Sequence, residues 1–467
     1  MTMMKQIENS RRSLLISVMP RWLAKISWAG MITLSLVTSA QASPTVLRDI
    51  AGATSAERIE ADIQTLVNFG TRHTLSETVS DTRGIGAARR WIQAEFERIS
   101  ATCGGCLEVR VQSEVISGED RIPVPTAVVN VIAILKGTTD PDRYVIMSGD
   151  IDSRITDPLN STDDSPGAND NASGMAGVLE AARVLSRYRF PGSIVFAGLS
   201  GEEQGLFGGQ IMARQAVAQG WHIEGVLNND MIGNIEGING VIDNSTARVF
   251  SEATRPTETE KQARTRRFTG GEVDSPSRNL ARYVDKIADD YIDNLDVMMI
   301  YRLDRFGRGG HHRPFNEQGF AGVRIMETNE HYDRQHQDLR TESGRVFGDT
   351  IAGVNFEYAA KLTALNAVAL ASMAMAPAPP SQVTIEGMVS PNTTLKWAKV
   401  AGAAGYKIYW RLTTSPQWTW GREVGDVSEH MLKNIVIDNY IFGVASLNAD
   451  GIESPVVFPG VIGAFWE

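Results

Sequence analysis

Apolar residues recur at two different spacings along this chain, and the changes of spacing mark its elements. Residues 84 to 99, GIGAARRWIQAEFERI, put Trp91, Ile92, Phe96 and Ile99 on or near one face of a helix. Short apolar runs follow: AVVNVIAIL (127 to 135), RYVIMS (143 to 148), SIVFAGL (193 to 199) and IEGVLNND (223 to 230). Each has strand length and a nearly continuous apolar character, which predicts strands buried on both faces. Between the second and third lies NASGMAGVLEAARVLSRY (171 to 188), rich in Ala and Leu at helical spacing. Strands alternating with helices predict an α/β domain, with a mostly parallel central sheet flanked by helices. Ligands of such sheets gather beyond the carboxyl ends of the strands.

The pattern lapses over residues 235 to 276, which are polar without clear periodicity and read as an insertion, mobile or forming a rim of the site. It resumes with a helix (277 to 294), the strand DVMMIY, the turn region DRFGRGGHHRPFNEQGF, the strand AGVRIME and a long Ala-rich helix near 353 to 374. MAPAPPS then ends the domain at residue 376, and Pro377, Pro379 and Pro380 predict a stiff linker over 377 to 381. From 382 to 467 the runs TTLKWAKV, GYKIYWRLT and NIVIDNYIFGVASLNADG read as strands of a small all-β sandwich. This tail resembles a fibronectin type III domain through Trp397, Tyr406 and NYIFGVASLNADGIES. Trp418 and Trp420 in SPQWTWGRE are expected to pack against the neighbouring domain more readily than to dock a peptide or glycan.

The first 42 residues bear on where the chain acts. Arg21 and Lys25 precede the apolar run WAGMITLSLVTSA and the small-residue pattern Ala40-Gln41-Ala42, the layout of an export signal cleaved after Ala42. The run is shorter than the ~20 residues of a spanning helix, so no membrane attachment is expected after cleavage. Met19 would begin a signal of more usual length, and SRRSLL at residues 10 to 15 hints at a twin-arginine signal. Cleavage removes five basic residues and one acidic one, taking the net charge from −10 to about −14 and arguing against nucleic acid as a partner. The expected location is periplasmic or extracellular. Cys103 and Cys106, the only cysteines, would enter an oxidising compartment and are expected to form a local disulfide. A metal knuckle needs a second pair, and a redox CxxC would open a helix where this one ends one.

Four acidic motifs fall at predicted strand ends: Asp150-Ile151-Asp152 in SGDIDSR, Asp170 in PGANDNASG, Glu202-Glu203 in LSGEEQGLFGG, and Asp230 in NNDMIGN. Singly, each has an ordinary use as a helix cap, a helix-dipole partner or a turn residue. Together they would repel unless cations lie among them, and so they point to a metal centre.

Their order, continued by RGGHHRPFNEQGF and HYDRQHQD, resembles the secreted bacterial co-catalytic zinc aminopeptidases, relatives of glutamate carboxypeptidase and glutaminyl cyclase, over roughly residues 58 to 374. The resemblance implies two Zn²⁺ ions bridged by Asp170, with Glu203 and His336 completing one site and Asp230 belonging to the other. It implies Glu202 as general base and Asp152 as the aspartate that orients a metal-binding histidine. That histidine is missing: the family has His-x-Asp where this chain has Asp-x-Asp, so Asp150 stands in its place. A site of Asp150, Asp170 and Asp230 would be all oxygen, weaker for zinc or suited to a harder ion such as Mn²⁺, Mg²⁺ or Ca²⁺. His73, His311 and His331 are the candidate replacements.

The family's Ser-Asp-His becomes Gly310-His311-His312, so His312 keeps a position implied to bind substrate, and the carboxylate lost at 311 offsets the one gained at 150. His336 fits the terminal ligand better than His331 because Gln337-Asp338 follow it. The implied function is an exported metal-dependent peptidase, favoured as an aminopeptidase acting on peptides. The alternatives are a single-zinc acyltransferase of the glutaminyl cyclase kind and a catalytically impaired peptide binder. Residue preference and oligomeric state are not written in the sequence.

Overall fold

A computed structural model describes residues 43 to 461. The export signal expected over residues 1 to 42 lies outside the described residues, as do the last six.

Eight strands form the central sheet: β1 (Leu107–Ile116), β2 (Thr126–Leu135), β3 (Asp140–Asp150), β4 (Gly192–Leu199), β5 (His222–Asn229), β6 (Thr246–Ser251), β7 (Asp296–Ile300) and β8 (Gly322–Glu327). Their spatial order is β1-β2-β4-β3-β5-β8-β6-β7. The inner run β4-β3-β5-β8 is parallel, and antiparallel pairings attach β2 and β1 on one side and β6 on the other. Parallel strands end on one edge, so Asp150, the loop after β4 and the loop after β5 open onto the same rim.

Side chains of these strands alternate between two cores. Val145, Met147, Ile194, Phe196 and Leu227 face the larger one, beneath helices that include Ala172–Leu185 and Phe356–Met375. Ile146, Val195 and Val226 face the smaller one, under helix Phe207–Ala218 and Phe315. Helices Ala172–Leu185 and Phe356–Met375 are buried on nearly every side, which explains sequences too apolar for a surface helix. The helix and strand boundaries expected from periodicity agree within a few residues. Cys103, the residue that caps helix Gly84–Thr102, is disulfide-bonded to Cys106.

The structure corrects the reading of 235 to 276 as an insertion. TARVFS within it is β6, hydrogen-bonded between β7 and β8, and Glu260–Thr269 is a helix with a Thr259–Gln262 capping box. Only Ala247 and Val249 of this six-residue strand reach the main core, too few apolar positions to register as a period. β1 escapes sequence reading for a related reason: it is an edge strand, exposed along most of its length and carrying Glu108, Arg110 and Glu114.

After the Pro-rich segment the chain forms two further sheets. Thr384–Glu386, Thr393–Lys396, Glu429–Leu432 and Gly460–Val461 make one, and Gly405–Leu412, Trp420–Gly425 and Tyr440–Leu447 make the other. Leu395, Trp397, Tyr406, Ile408, Leu432 and Phe442 share their own core. A buried ion triad joins this unit to helix Pro276–Tyr291: Asp274 accepts from Arg282 at 3.1 Å and from Arg411 at 2.7 Å. Trp418 lies at the same seam, 5.7 Å from the Arg282 guanidinium, whereas Trp420 stays 40% exposed and stacks on Trp410.

Candidate metal centre

Two glycines bring β3 and the helix after it unusually close. A Cβ on Gly149 would lie 2.7 Å from the Gly174 backbone, and one on Gly174 would lie 2.4 Å from the Asn229 carbonyl. This approach delivers Asp150 to Asn171, the N-cap of helix Ala172–Leu185. Asn171 donates from Nδ2 to Asp150 Oδ2 and to the Asn229 carbonyl, both at 2.7 Å, and its Oδ1 accepts from the backbone of Gly174 and Met231. One amide thus ties together the ends of β3 and β5 and the start of the helix, and the ordinary capping role belongs to Asn171, leaving Asp170 free.

Asp170 turns into the rim beside it. Asp349 fixes the loop by accepting from the backbone N–H of Asn169 at 2.9 Å and of Asp170 at 2.6 Å. Buried Arg72 fixes it from below, donating to the carbonyls of Ile151, Pro166 and Gly167. Just after β3, Asp152 accepts the backbone N–H groups of Glu202 at 3.2 Å and Glu203 at 3.1 Å, which holds the start of the turn that follows β4.

Three donors converge here. His336 Nε2 lies 3.0 Å from Asp170 Oδ2 and 2.9 Å from Glu203 Oε1, and one donor atom from each of the three residues lies within 4.8 Å of the others. His336 has φ +53°, and Met231, next to Asp230, has φ +61°. Non-glycine residues are rare in this left-handed region, and at position 336 it accompanies a side chain that enters the site. Two carboxylate oxygens and one imidazole nitrogen, with room for a further ligand, suit Zn²⁺.

Arg154, the last residue of SGDIDSR, donates from Nε to Glu203 Oε2 at 2.6 Å, and its Nη2 is 2.6 Å from His336 Nδ1. His336 Nε2, the ring nitrogen that faces the two carboxylates, is the one placed to meet a metal. Burial alone would lower this imidazole, but the Glu203 charge and the hydrogen bonds to Asp170 and Glu203 outweigh it and favour the proton. A metal entering at Nε2 must therefore displace that proton, so its affinity weakens as pH falls.

The second position of the expected pair is built differently, and it does not fit a metal. Asp150 Oδ1 is 2.5 Å from His311 Nδ1, and its other oxygen is held by Asn171. Burial, followed by the neighbouring Asp152 charge, pushes Asp150 well above the usual carboxylate range, and burial pushes His311 down to about 4. Asp230 Oδ2 pairs at 2.7 Å with Arg324, which is wholly buried in β8 and also spans Asp304 at 3.2 Å. Among the described residues, no ligand-sized cluster contains Asp150 or Asp230. The positive charge that converging carboxylates require comes here from Arg324.

The remaining candidates are placed as follows. Glu202 lines the cavity and among the described residues its carboxylate makes no hydrogen bond or ion pair; burial and the charges of Glu203, Asp230, Asp150 and Asp170 push it well above its ordinary value. His312 is fully buried, its Nε2 2.8 Å from the Leu303 carbonyl, and it does not reach the cavity. His73 is buried against the Pro158 carbonyl and Gln204. His331 sits in the loop before His336 and contributes no ligand atom to the cluster. Sequence reading did not single out Arg154, Arg324 or Asp349. A charged residue inside the apolar run AGVRIME was a legible signal for Arg324, because arginine is seldom buried without a partner.

Comparison with known proteins agrees with this geometry. Residues 130–352 match the family described as Peptidase family M28. A Leptosphaeria maculans protein named "Probable zinc metalloprotease" is 44% identical over 408 residues, covering 87% of this chain and 94% of its own. One from Pyricularia oryzae with the same name is 43% identical, over 91% of this chain and 86% of its own. Among solved structures, the LapA aminopeptidase of Legionella pneumophila aligns with TM-score 0.52 at 20% identity, covering 71% of this chain and 75% of that one. The last is a likeness of fold. Both relatives are fungal, so the bacterial side of the resemblance rests on fold alone.

Proposed function

The chain belongs to peptidase family M28 and is a zinc metallopeptidase, and from that premise we propose an exported aminopeptidase that works with one zinc ion per chain. The observation that carries the reading is the cluster of Asp170, Glu203 and His336 beside the unpaired carboxylate of Glu202. Zinc held by those three residues supplies Lewis acidity, polarising a carbonyl and making water easier to deprotonate.

The other tasks fall to the chain's own groups. Glu202 takes the proton of the attacking water on its carboxylate and delivers it to the departing amine nitrogen. Its position follows from Asp152, which pins the backbone of Glu202 and Glu203. Arg154 holds Glu203 and the His336 ring in place. Asp230 lines the cavity, and its carboxylate, paired with Arg324 through Oδ2, adds negative charge where a substrate's N-terminal ammonium would lie. The Cys103–Cys106 disulfide supports export, because such bonds persist in oxidising compartments. The two-sheet C-terminal unit supports the fibronectin-like assignment by its architecture.

A second reading rests on the donor set. One zinc on Asp, Glu and His is also what the resemblance implies for a glutaminyl cyclase, which would close an N-terminal glutamine into a ring and release ammonia. Peptide amides with N-terminal Leu, Glu and Gln separate the two. The peptidase reading expects free amino acid to appear, to cease when a chelator removes zinc, and to return with added zinc. Ammonia and cyclised peptide without free amino acid would replace it with the cyclase reading, and turnover that survives zinc removal would contradict both.

A further inference from the structure

The cavity beside Glu202, about 460 Å³, is lined by five arginines as well as by the acids of the metal centre. Two of the five are committed. Arg154 is bound to Glu203 and His336, and Arg305 pairs with Glu330 at 2.9 Å and lies 3.6 Å from Asp304. The other three have little negative charge to answer them. Arg121 donates to the Glu203 carbonyl at 2.6 Å and has no carboxylate within ion-pair distance among the described residues. Among the described residues Arg308 hydrogen-bonds by its side chain only to the neutral amide of Gln335, and its charge acts on Asp170 without an ion pair. Arg313 has Glu317 at 3.8 Å, with both side chains more than a third exposed, and its Nε has no partner.

Arg308 and Arg313 also share one spot. A Cβ on Gly309 would come 3.0 Å from Arg313 Nη1, so the Arg313 side chain folds back over the residue next to Arg308. Two guanidinium groups on one wall of a cavity, answered there only by the exposed and loosely held Glu317, make a strong receptor for a carboxylate through charge-assisted, bidentate hydrogen bonds. The other acids on the same cavity meet little of that need, because Asp170 and Glu203 face His336, Asp230 faces Arg324, Glu202 is the base, and Glu317 stands 3.8 Å from Arg313 with its side chain more than half exposed.

We infer that this cavity selects substrates carrying a carboxylate beside the scissile bond, with Arg308 and Arg313 as the recognising pair; the inference rests on the zinc-peptidase reading of the same site. The carboxylate has two sources: an acidic side chain on the N-terminal residue released, or the free terminus of a C-terminal residue.

Matched substrates distinguish the sources. One arm compares N-terminal Glu with N-terminal Gln in peptides of amidated C-terminus, and the other compares N-acetyl dipeptides ending in a free carboxylate with their amides. In one arm the wild type favours the acid by about tenfold or more in kcat/KM, and R308M/R313M abolishes that ratio. Calorimetric binding of N-acetylglutamate against N-acetylglutamine to the zinc-loaded protein asks the side-chain question without turnover, and N-acetyl-leucine against its amide asks the terminal one. Tighter binding of one acid in the wild type only, with no hydrolysis of any peptide, would keep the inference and discard the peptidase. Equal handling of acid and amide in every comparison, or a preference that survives R308M/R313M in protein of normal zinc content, overturns it.

Discussion

Glu202→Gln lowers kcat on a peptide substrate by about 10²- to 10⁴-fold and leaves the zinc content of the protein unchanged. The two halves of this result come from the same geometry. Glu202 follows a left-handed Gly201 and lies one residue before Glu203, yet only Glu203 joins Asp170 and His336 in a ligand-sized cluster. The Glu202 carboxylate instead stands in the cavity with no partner, raised by burial and by its carboxylate neighbours, as suits a group that must take up a proton near neutral pH. Glutamine keeps the size and the backbone hydrogen bond to Asp152 and removes only the basic site. Parallel elemental analysis and single-turnover kinetics check it. Unchanged kcat would remove Glu202 from its role, and loss of zinc would make it a ligand.

Arg324→Met costs about 3–5 kcal/mol of folding stability, read as a lower urea midpoint in metal-free buffer. Arg324 is fully buried in the middle of the sheet, and its guanidinium answers Asp230 at 2.7 Å, Asp304 at 3.2 Å and the Gly309 carbonyl at 2.7 Å. Two buried carboxylates pull Arg324 to hold its proton more firmly than an ordinary arginine. Methionine fills much of the same space and removes the charge, leaving Asp230 without a paired cation and Asp304 with only the more distant Arg305, at 3.6 Å. The cost is therefore that of uncompensated buried charge, well beyond the ~1 kcal/mol typical of a point substitution. A change below that level would mean that Arg324 does not neutralise this half of the site.

Asp170, Glu203 and His336 were legible in the sequence because each sits in a motif whose order along the chain the resemblance supplied. The parallel core was legible because β3, β4 and β5 are continuous apolar runs. What sequence could not give is pairing between distant side chains. Asp150 and His311 are 161 residues apart and meet at 2.5 Å, so the exchanged carboxylate and histidine are a physical pair that only the fold brings together. The same holds for Arg324 with Asp230, and for Asp349 beneath Asp170. β6 was lost because two core residues in a polar stretch carry no period, although its hydrogen bonds to β8 make it part of the sheet.

The central claim is that one zinc ion is bound, by Asp170, Glu203 and His336, while Arg324 and the Asp150–His311 pair fill the place of a second. Calorimetric titration of zinc into the metal-free protein, repeated in buffers of different ionisation enthalpy, tests it most directly. The account predicts one tight site per chain, about one proton released per zinc from His336 Nε2 at neutral pH, and weaker binding as pH falls. Two tight sites per chain would contradict it.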